Sequence, residues 1–273
     1  MPELPEVETI KRGLAPYLEN SIILDVVVRQ PKLRFGVPSD LKFKVSGQKI
    51  IDITRRGKYL LLKLNNGSVI IHLGMSGSLR LLQQAIPLKP HDHVDFLLSD
   101  NKILRYHDPR RFGAILFTDL DPLLHPLLKS IGVEPLLDLF NGEYLYAQTI
   151  KRKMPIKNCL LNSKVVAGIG NIYATEALFL AKIHPKTLAK NLSLKDCERL
   201  VIAIKETLHA SIKAGGTSLK DYINSKGEPG YFAQQLLVYG RANLPCVVCG
   251  QKITSINLGQ RCTTCCENCQ VIG

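Results

Sequence analysis

The chain has 273 residues, 45% of them hydrophobic, and a formal net charge of +13. That is enough for one large or two ordinary domains plus a small module, each with a proper core. No apolar run approaches the ~20 residues of a membrane span, and the acidic, amphipathic N-terminus is unlike a secretory signal, so a cytoplasmic protein with no membrane partner is expected. The basic excess is shared, with 19 basic and 14 acidic groups in residues 1–135 and 17 and 9 in residues 136–273. A basic surface on both halves suits a long polyanion gripped by more than one domain.

The N-terminus reads Pro2-Glu3-Leu4-Pro5-Glu6-Val7-Glu8-Thr9. Removal of Met1 would leave a secondary amine. An α-amino group titrates near pH ~8, and a neutral amine attacking a sugar carbon leads to a Schiff base. Glu3 is in reach for acid–base work. Proline and glutamate also mark a plain helix start. Val7, Ile10, Leu14 and Leu18 predict a helix over 5–19 with one apolar stripe, which would hold Pro2 in place.

Residues 22–118 are strand-rich. Short β-prone runs at 22–29, 49–54, 59–64, 69–73, 94–98, 103–106 and 114–117 are punctuated by turns, and Asn66-Gly67 is a hairpin signal. Strands at this spacing suggest a sandwich or barrel. The weakly patterned 83–90 reads as a loop. Within this region Lys58 sits in a basic turn, Arg55-Arg56-Gly57-Lys58, fit for a phosphate or for solvent. Met75 lies between Gly74 and Gly77, and Arg110 and Phe112 flank Arg111 in a turn started by Pro109. Apolar wedges and a planar guanidinium suit the hole left when a base is extruded from a duplex. His91-Asp92-His93 could be metal ligands; a phosphate-contacting or structural pair is the preferred reading.

From about Ile131 the pattern turns helical, with helices expected at 142–152, 156–161, 171–181 and 193–214. Ser193 and Asp196 resemble a capping box. Gly168-Ile169-Gly170-Asn171 opens one helix; close backbone approach and helix-start amides could hold a phosphate there, with Arg152 and Lys157 adding charge upstream. Residues 217–231 read as a mobile loop.

Six of the eight cysteines lie in the last 28 residues. Clustering of that kind in a cytosolic-looking chain reads as metal rather than disulfides. Cys246-x-x-Cys249 and Cys266-x-x-Cys269 supply four thiolates for one structural Zn²⁺. Cys265 could compete with Cys266, but only 266/269 repeats the spacing of 246/249. Arg261 lies in the same tail, where a stapled hairpin can push one arginine into a groove. Cys159 and Cys197 lie in helical stretches and read as core thiols.

PELPEVET at 2–9, RRGKYLL at 55–61, HLGMSG at 72–77, DPRRFG at 108–113, GIGNIYATEALF at 168–179 and the four-cysteine tail together resemble the bacterial formamidopyrimidine-DNA glycosylases, end to end and in order. The resemblance implies an α+β multidomain fold: a β-sandwich with a flanking N-terminal helix (2–119), a linker (120–135), a helical helix–two-turns–helix domain (136–235) and a zinc-finger β-hairpin (236–273). It implies a monomer acting on damaged double-stranded DNA, a glycosylase for oxidised purines with lyase activity. Pro2 would be the nucleophile, Glu3 the acid, Lys58 a catalytic lysine at the lesion phosphate, and Arg261 an aid to the second elimination. Met75, Arg110 and Phe112 would fill the void, while His91 and Asn171 would contact DNA. Three departures stand out: Arg152 where the family often has lysine, Cys265 where it usually has an aromatic residue, and Glu267 where it often has proline. Two rivals share many of these features, an endonuclease VIII-like enzyme for oxidised pyrimidines and a non-catalytic zinc-finger damage sensor. The joint presence of Pro2, Glu3 and Lys58 argues against the sensor.

Overall fold

The computed structural model describes residues 1–217 and 232–272. The loop expected at 217–231 lies outside the described residues from 218 onward. Two compact units emerge. The first takes Met1–Ser130 and the described residues from Ala214 to Thr217; the second takes Ile131–Lys213 and the chain from Phe232.

In the first unit, helix α1 (Leu4–Leu18) opens the chain. Its stripe of Val7, Ile10, Leu14 and Leu18 is buried, as the periodicity predicts. The strands are β1 (Ile23–Val28), β2 (Ile50–Arg56), β3 (Tyr59–Leu64), β4 (Ser68–His72), β5 (Ser78–Leu82), β6 (Asp92–Leu98), β7 (Ile103–His107) and β8 (Ala114–Thr118). They form two antiparallel four-stranded sheets, ordered β1-β6-β7-β5 and β2-β3-β4-β8. Alternate residues of both sheets (Val94, Phe96, Leu104 and Leu79 from one; Leu60, Leu62, Val69, Ile71 and Ile115 from the other) join α1 in one apolar core. This is the sandwich that period-two alternation demands.

Two elements escaped the sequence pattern. Strand β5 follows the glycines of the 74–77 turn, where no alternating run marks its start. Helix α2 (Leu41–Val45) is a single turn buried through Leu41 and Val45, too short to show a period.

The outer face of the first sheet carries a buried ionic ladder. Arg105, 3% exposed, makes paired hydrogen bonds to Asp95 at 2.8 Å each. Arg29 reaches the same carboxylate at 2.8 Å, and Arg80 bonds Asp92 at 2.7 Å. Register explains the meeting, because Arg80 and Asp95 both lie opposite Arg105.

In the second unit, helices α3 (Gly142–Thr149), α4 (Ile156–Leu161), α5 (Asn171–Leu180) and α6 (Leu194–Lys213) pack together. Helix α5 is buried from Ile172 through Phe179, Thr175 and Glu176 included. Helix α6 buries one stripe, and its start is the expected capping box: Ser193 N–H donates to Asp196 Oδ2 at 3.0 Å and Asp196 N–H to Ser193 Oγ at 3.2 Å. The hairpin β9 (Thr254–Leu258) and β10 (Arg261–Cys265) lies in this unit too, with β10 against α5. Among the described residues no helix is long and apolar enough to cross a membrane.

The ladder has a pH signature. Burial by itself would raise Asp95, but the hydrogen bonds from Arg105 and Arg29 outweigh it and hold the carboxyl below its usual range. A depressed folded-state pKa adds stability that is present above the unfolded value of about 3.9 and is lost as pH falls through the folded one. Asp95→Asn should therefore destabilise the chain at pH 7, and its difference from the parent should shrink below pH ~4. Urea melts across pH 3–7 test this; a difference that stays constant with pH refutes it.

Candidate active site and metal centre

The chain terminus is held by carboxylates of α1. Glu6 Oε2 accepts the Glu3 N–H at 2.8 Å, as in a capping box. Its other oxygen accepts the Thr217 N–H at 2.8 Å. Glu8 accepts from Arg12 at 2.8 Å and from Arg55 at 3.0 Å. Burial pushes the Glu8 carboxyl up, but the hydrogen bonds to Arg12, Arg55 and Lys11 more than offset this and leave it lowered. Arg55 closes β2 and also donates to Gly57 O at 3.0 Å. One side chain thus ties α1 to the turn that presents Lys58.

Pro2 and Glu3 are both buried. Met1, with Arg34, His72, Gly74, Met75, Arg111 and Phe112, lines a cleft of about 500 Å³. His72 is held neutral, its pKa lowered to about 4 by burial and then by the charges of Lys58 and Arg34. Its Nδ1 accepts the Gly74 N–H at 3.0 Å, and its ring lies 4.7 Å from that of Tyr59.

Two turns reach this cleft, and the fully buried Asp108 joins them. It accepts from Ser76 Oγ at 2.9 Å, from Gly113 N–H at 2.9 Å and from Tyr106 OH at 3.1 Å. Gly74 has φ +64°, and a Cβ there would run into the Phe112 backbone; a Cβ on Gly113 would collide with the Tyr106 hydroxyl. The turns can approach so closely only because both positions are glycine. Met75 and Phe112 remain exposed, at 38% and 44%, and the Arg110 guanidinium lies over the Phe112 ring at 4.9 Å. The structure thus brings Met75, Arg110 and Phe112 together. His91 is exposed at φ +72° beside the rings of His93 and His107.

In the second unit, the sulfurs of Cys246, Cys249, Cys266 and Cys269 all lie within 4.8 Å of one another. The 246–269 and 249–266 separations are 3.9 and 3.5 Å. Thiolates about 2.3 Å from a tetrahedral zinc lie about 3.8 Å apart, so the donor set fits that ion. The thiols do not titrate alike: the Gln251 amide draws Cys249 down to about 6, while burial and its sulfur neighbours push Cys269 up to about 12.

Residues 1–115 match the formamidopyrimidine-DNA glycosylase N-terminal domain, and residues 131–222 match the H2TH domain of the same enzymes. A formamidopyrimidine-DNA glycosylase of Escherichia coli is 53% identical over 271 residues, covering 99% of this chain and all of the relative. The chain belongs to the formamidopyrimidine-DNA glycosylase family. Two solved members are also close in structure. The MutM (Fpg) protein of Thermus thermophilus has a TM-score of 0.89 at 35% identity, with all of both chains covered. A Lactococcus lactis Fpg mutant in complex with DNA containing Fapy-dG has a TM-score of 0.92 at 35% identity, covering 98% of this chain and 99% of that one.

Some family positions sit otherwise than the sequence suggested. Lys157 was expected to add charge against DNA, yet its side chain is fully buried and its Nζ donates to Thr263 Oγ1 at 2.5 Å. It braces β10 rather than offering surface charge, since its buried ammonium ends on a β10 hydroxyl. Asn171 is the first helical residue and Gly170 is the cap; the Asn171 amide donates to Cys262 O at 3.1 Å. Arg152 is half-buried and turned onto Gln148. Arg261 is exposed at the start of β10, beside the tip of the hairpin.

Sequence reasoning also missed residues. His72 and Asp108 lie inside HLGMSG and DPRRFG, so their motifs were visible although their roles were not. Glu176, inside GIGNIYATEALF, accepts three backbone N–H groups, from Leu237, Val238 and Tyr239, at 2.7–3.0 Å. Burial nonetheless keeps its carboxyl above the usual range against those amides. It anchors the chain entering the cysteine module.

Cys266→Ser removes one corner of the four-sulfur set. Cobalt-loaded protein should then lose the charge-transfer absorption of a four-thiolate site, while the first unit keeps its melting transition. An unaltered spectrum would remove Cys266 from the ligand set.

Proposed function

We infer that this chain is a bifunctional DNA glycosylase and lyase of base excision repair, acting as a monomer on oxidised purines such as 8-oxoguanine and formamidopyrimidines in duplex DNA. The observation that carries the reading is Met1. It forms part of the cleft wall, so its removal would put the Pro2 amine into the cleft beside Met75 and Phe112.

The chemistry follows from the residues. A secondary amine attacks C1′ of the extruded nucleotide and the base departs with a proton that Glu3 can supply. The N–C1′ bond forms as the glycosidic bond breaks and the amine gives up its proton; the C1′–O4′ bond then opens with a proton delivered to O4′, leaving an iminium. The iminium acidifies the 2′ proton, so the 3′ phosphate leaves by β-elimination and the 5′ phosphate by δ-elimination. Lys58 is suited to the lesion phosphate, and Arg261 to the second elimination. Glu6 and Glu8 touch no substrate in this scheme; they position the amine. His72, kept neutral, adds no positive charge of its own beside Lys58 and Arg34.

Extrusion costs a few kcal/mol, roughly. Met75 and Phe112 offer apolar surface to offset part of it, and Arg110 offers a fixed fork of donors to the orphaned base. His91, Asn171 and Arg152 are suited to the DNA backbone. The four cysteines would hold one structural Zn²⁺, which supplies no chemistry to the reaction but fixes the base of the hairpin that carries Arg261.

Protein beginning at Pro2 should be trapped covalently on an 8-oxoguanine duplex by borohydride, and protein retaining Met1 should not, since its Pro2 nitrogen is an amide. Equal trapping of both forms transfers the nucleophile to a lysine. Arg110→Ala should slow excision and blunt discrimination of the opposite base. The slope of log affinity against log salt should barely change, whereas loss of a phosphate contact lowers it by about one. A slope change of that size with base discrimination intact would assign the void-filling guanidinium to Arg111.

A further inference from the structure

Two thiols remain once the four-cysteine set is assigned. Cys262 is exposed on the hairpin. Cys265 is fully buried and faces away from the four-sulfur cluster, toward His184 and Glu267. These three side chains come from two places in the second unit: the turn after α5, and the end of β10.

Their geometry is that of a ligand set. His184 Nε2 lies 3.6 Å from Cys265 Sγ and 3.2 Å from Glu267 Oε2. Cys265 Sγ lies 3.6 Å from Glu267 Oε1. Around a tetrahedral zinc with ordinary bond lengths the S–N edge is about 3.6 Å and the N–O edge about 3.4 Å, while Cys265 stands against the other oxygen of the Glu267 carboxylate; one donor atom from each of the three residues lies within 4.8 Å of the others. The His184 side chain is 1% exposed and that of Glu267 44%, so one corner of the set opens to solvent. Thr254 Oγ1 stands 3.0 Å from Glu267 Oε1 and 3.4 Å from Cys265 Sγ, an oxygen beside that opening. A nucleophilic role for Cys265 does not fit, because its side chain is fully buried.

We propose that His184, Cys265 and Glu267 form a second, mixed-ligand site for a thiophilic divalent cation, Zn²⁺, which staples the end of β10 to the turn after α5. Thiolate, imidazole and carboxylate together are a zinc donor set. Loading releases the Cys265 thiol proton to solvent as the S–Zn bond forms. It also has a local cost. His184 Nδ1 accepts the Lys186 N–H at 3.2 Å, so in the metal-free chain Nε2 carries the proton. Ligation through Nε2 moves that proton to Nδ1 and gives up this long bond. Lys186 is exposed, where water can take its amide. The site should therefore be the weaker of the two.

The test is metal stoichiometry on the full chain, stripped with chelator under reducing conditions, reloaded with excess Zn²⁺ and desalted. The parent should hold two zinc ions and release one of them first to a mild chelator. Glu267→Gln, at an exposed side chain that leaves the fold alone, and Cys265→Ser should each hold one. Cys266→Ser should also hold one, but the early-released ion, with a one-thiolate spectrum when loaded with cobalt. One zinc in the parent, unchanged in Glu267→Gln and Cys265→Ser, would reduce the trio to a hydrogen-bonded cluster and overturn the proposal. Two ions that persist in both variants would overturn it as well, by placing the second ion elsewhere.

Discussion

The start of the chain is held still, and two glutamates of α1 do the holding. Chain termini ordinarily fray. Glu6 prevents this by accepting the Glu3 amide with one oxygen and the Thr217 amide with the other. Glu8 turns the opposite way and grips Arg55. The buried stripe of α1 fixes the helix on the sandwich, and the two carboxylates fix what lies at its start. A single turn of helix thereby sets both where Pro2 stands and how the Lys58 turn is tied to it.

The exposed side chains of Met75 and Phe112 depend on a comparable economy. Met75 and Phe112 lie on different turns, joined by one buried carboxylate, Asp108, whose partners come from both sides. The glycines at 74 and 113 permit the close approach, and Asp108 makes it specific. A buried hydrogen-bonded carboxylate gives the two exposed side chains a rigid base, at a cost offset by three donors. The exposed pair and the buried carboxylate are two parts of one arrangement, and only the first part draws notice when taken residue by residue.

The second unit uses the hairpin in the same spirit. Lys157 and Asn171 reach β10 from α4 and α5, Glu176 collects three amides of the entering chain, and four thiols close its base. Successive residues at a strand end point to opposite sides, so Cys265 and Cys266 are adjacent in sequence yet belong to different clusters. That alternation keeps a cysteine-rich tail from mixing its ligands.

Much of this was legible in the sequence. The stripe of α1, the alternation of the strands, the Ser193–Asp196 cap and the paired Cys-x-x-Cys spacings are local patterns, and local patterns survive in a linear text because each is set by residues a few positions apart. The motifs likewise marked where the chemistry lies. Other features were decided only by tertiary structure. The short strand β5 and helix α2 carry too few residues to show a period. Lys157 read as surface charge because a sequence does not say what packs on it. Asp108, His72 and Glu176 act through partners on other elements, from two to more than sixty residues away, and His184 meets Cys265 across eighty-one. Those meetings are set by how sheets and helices stack, and no spacing within the chain encodes them.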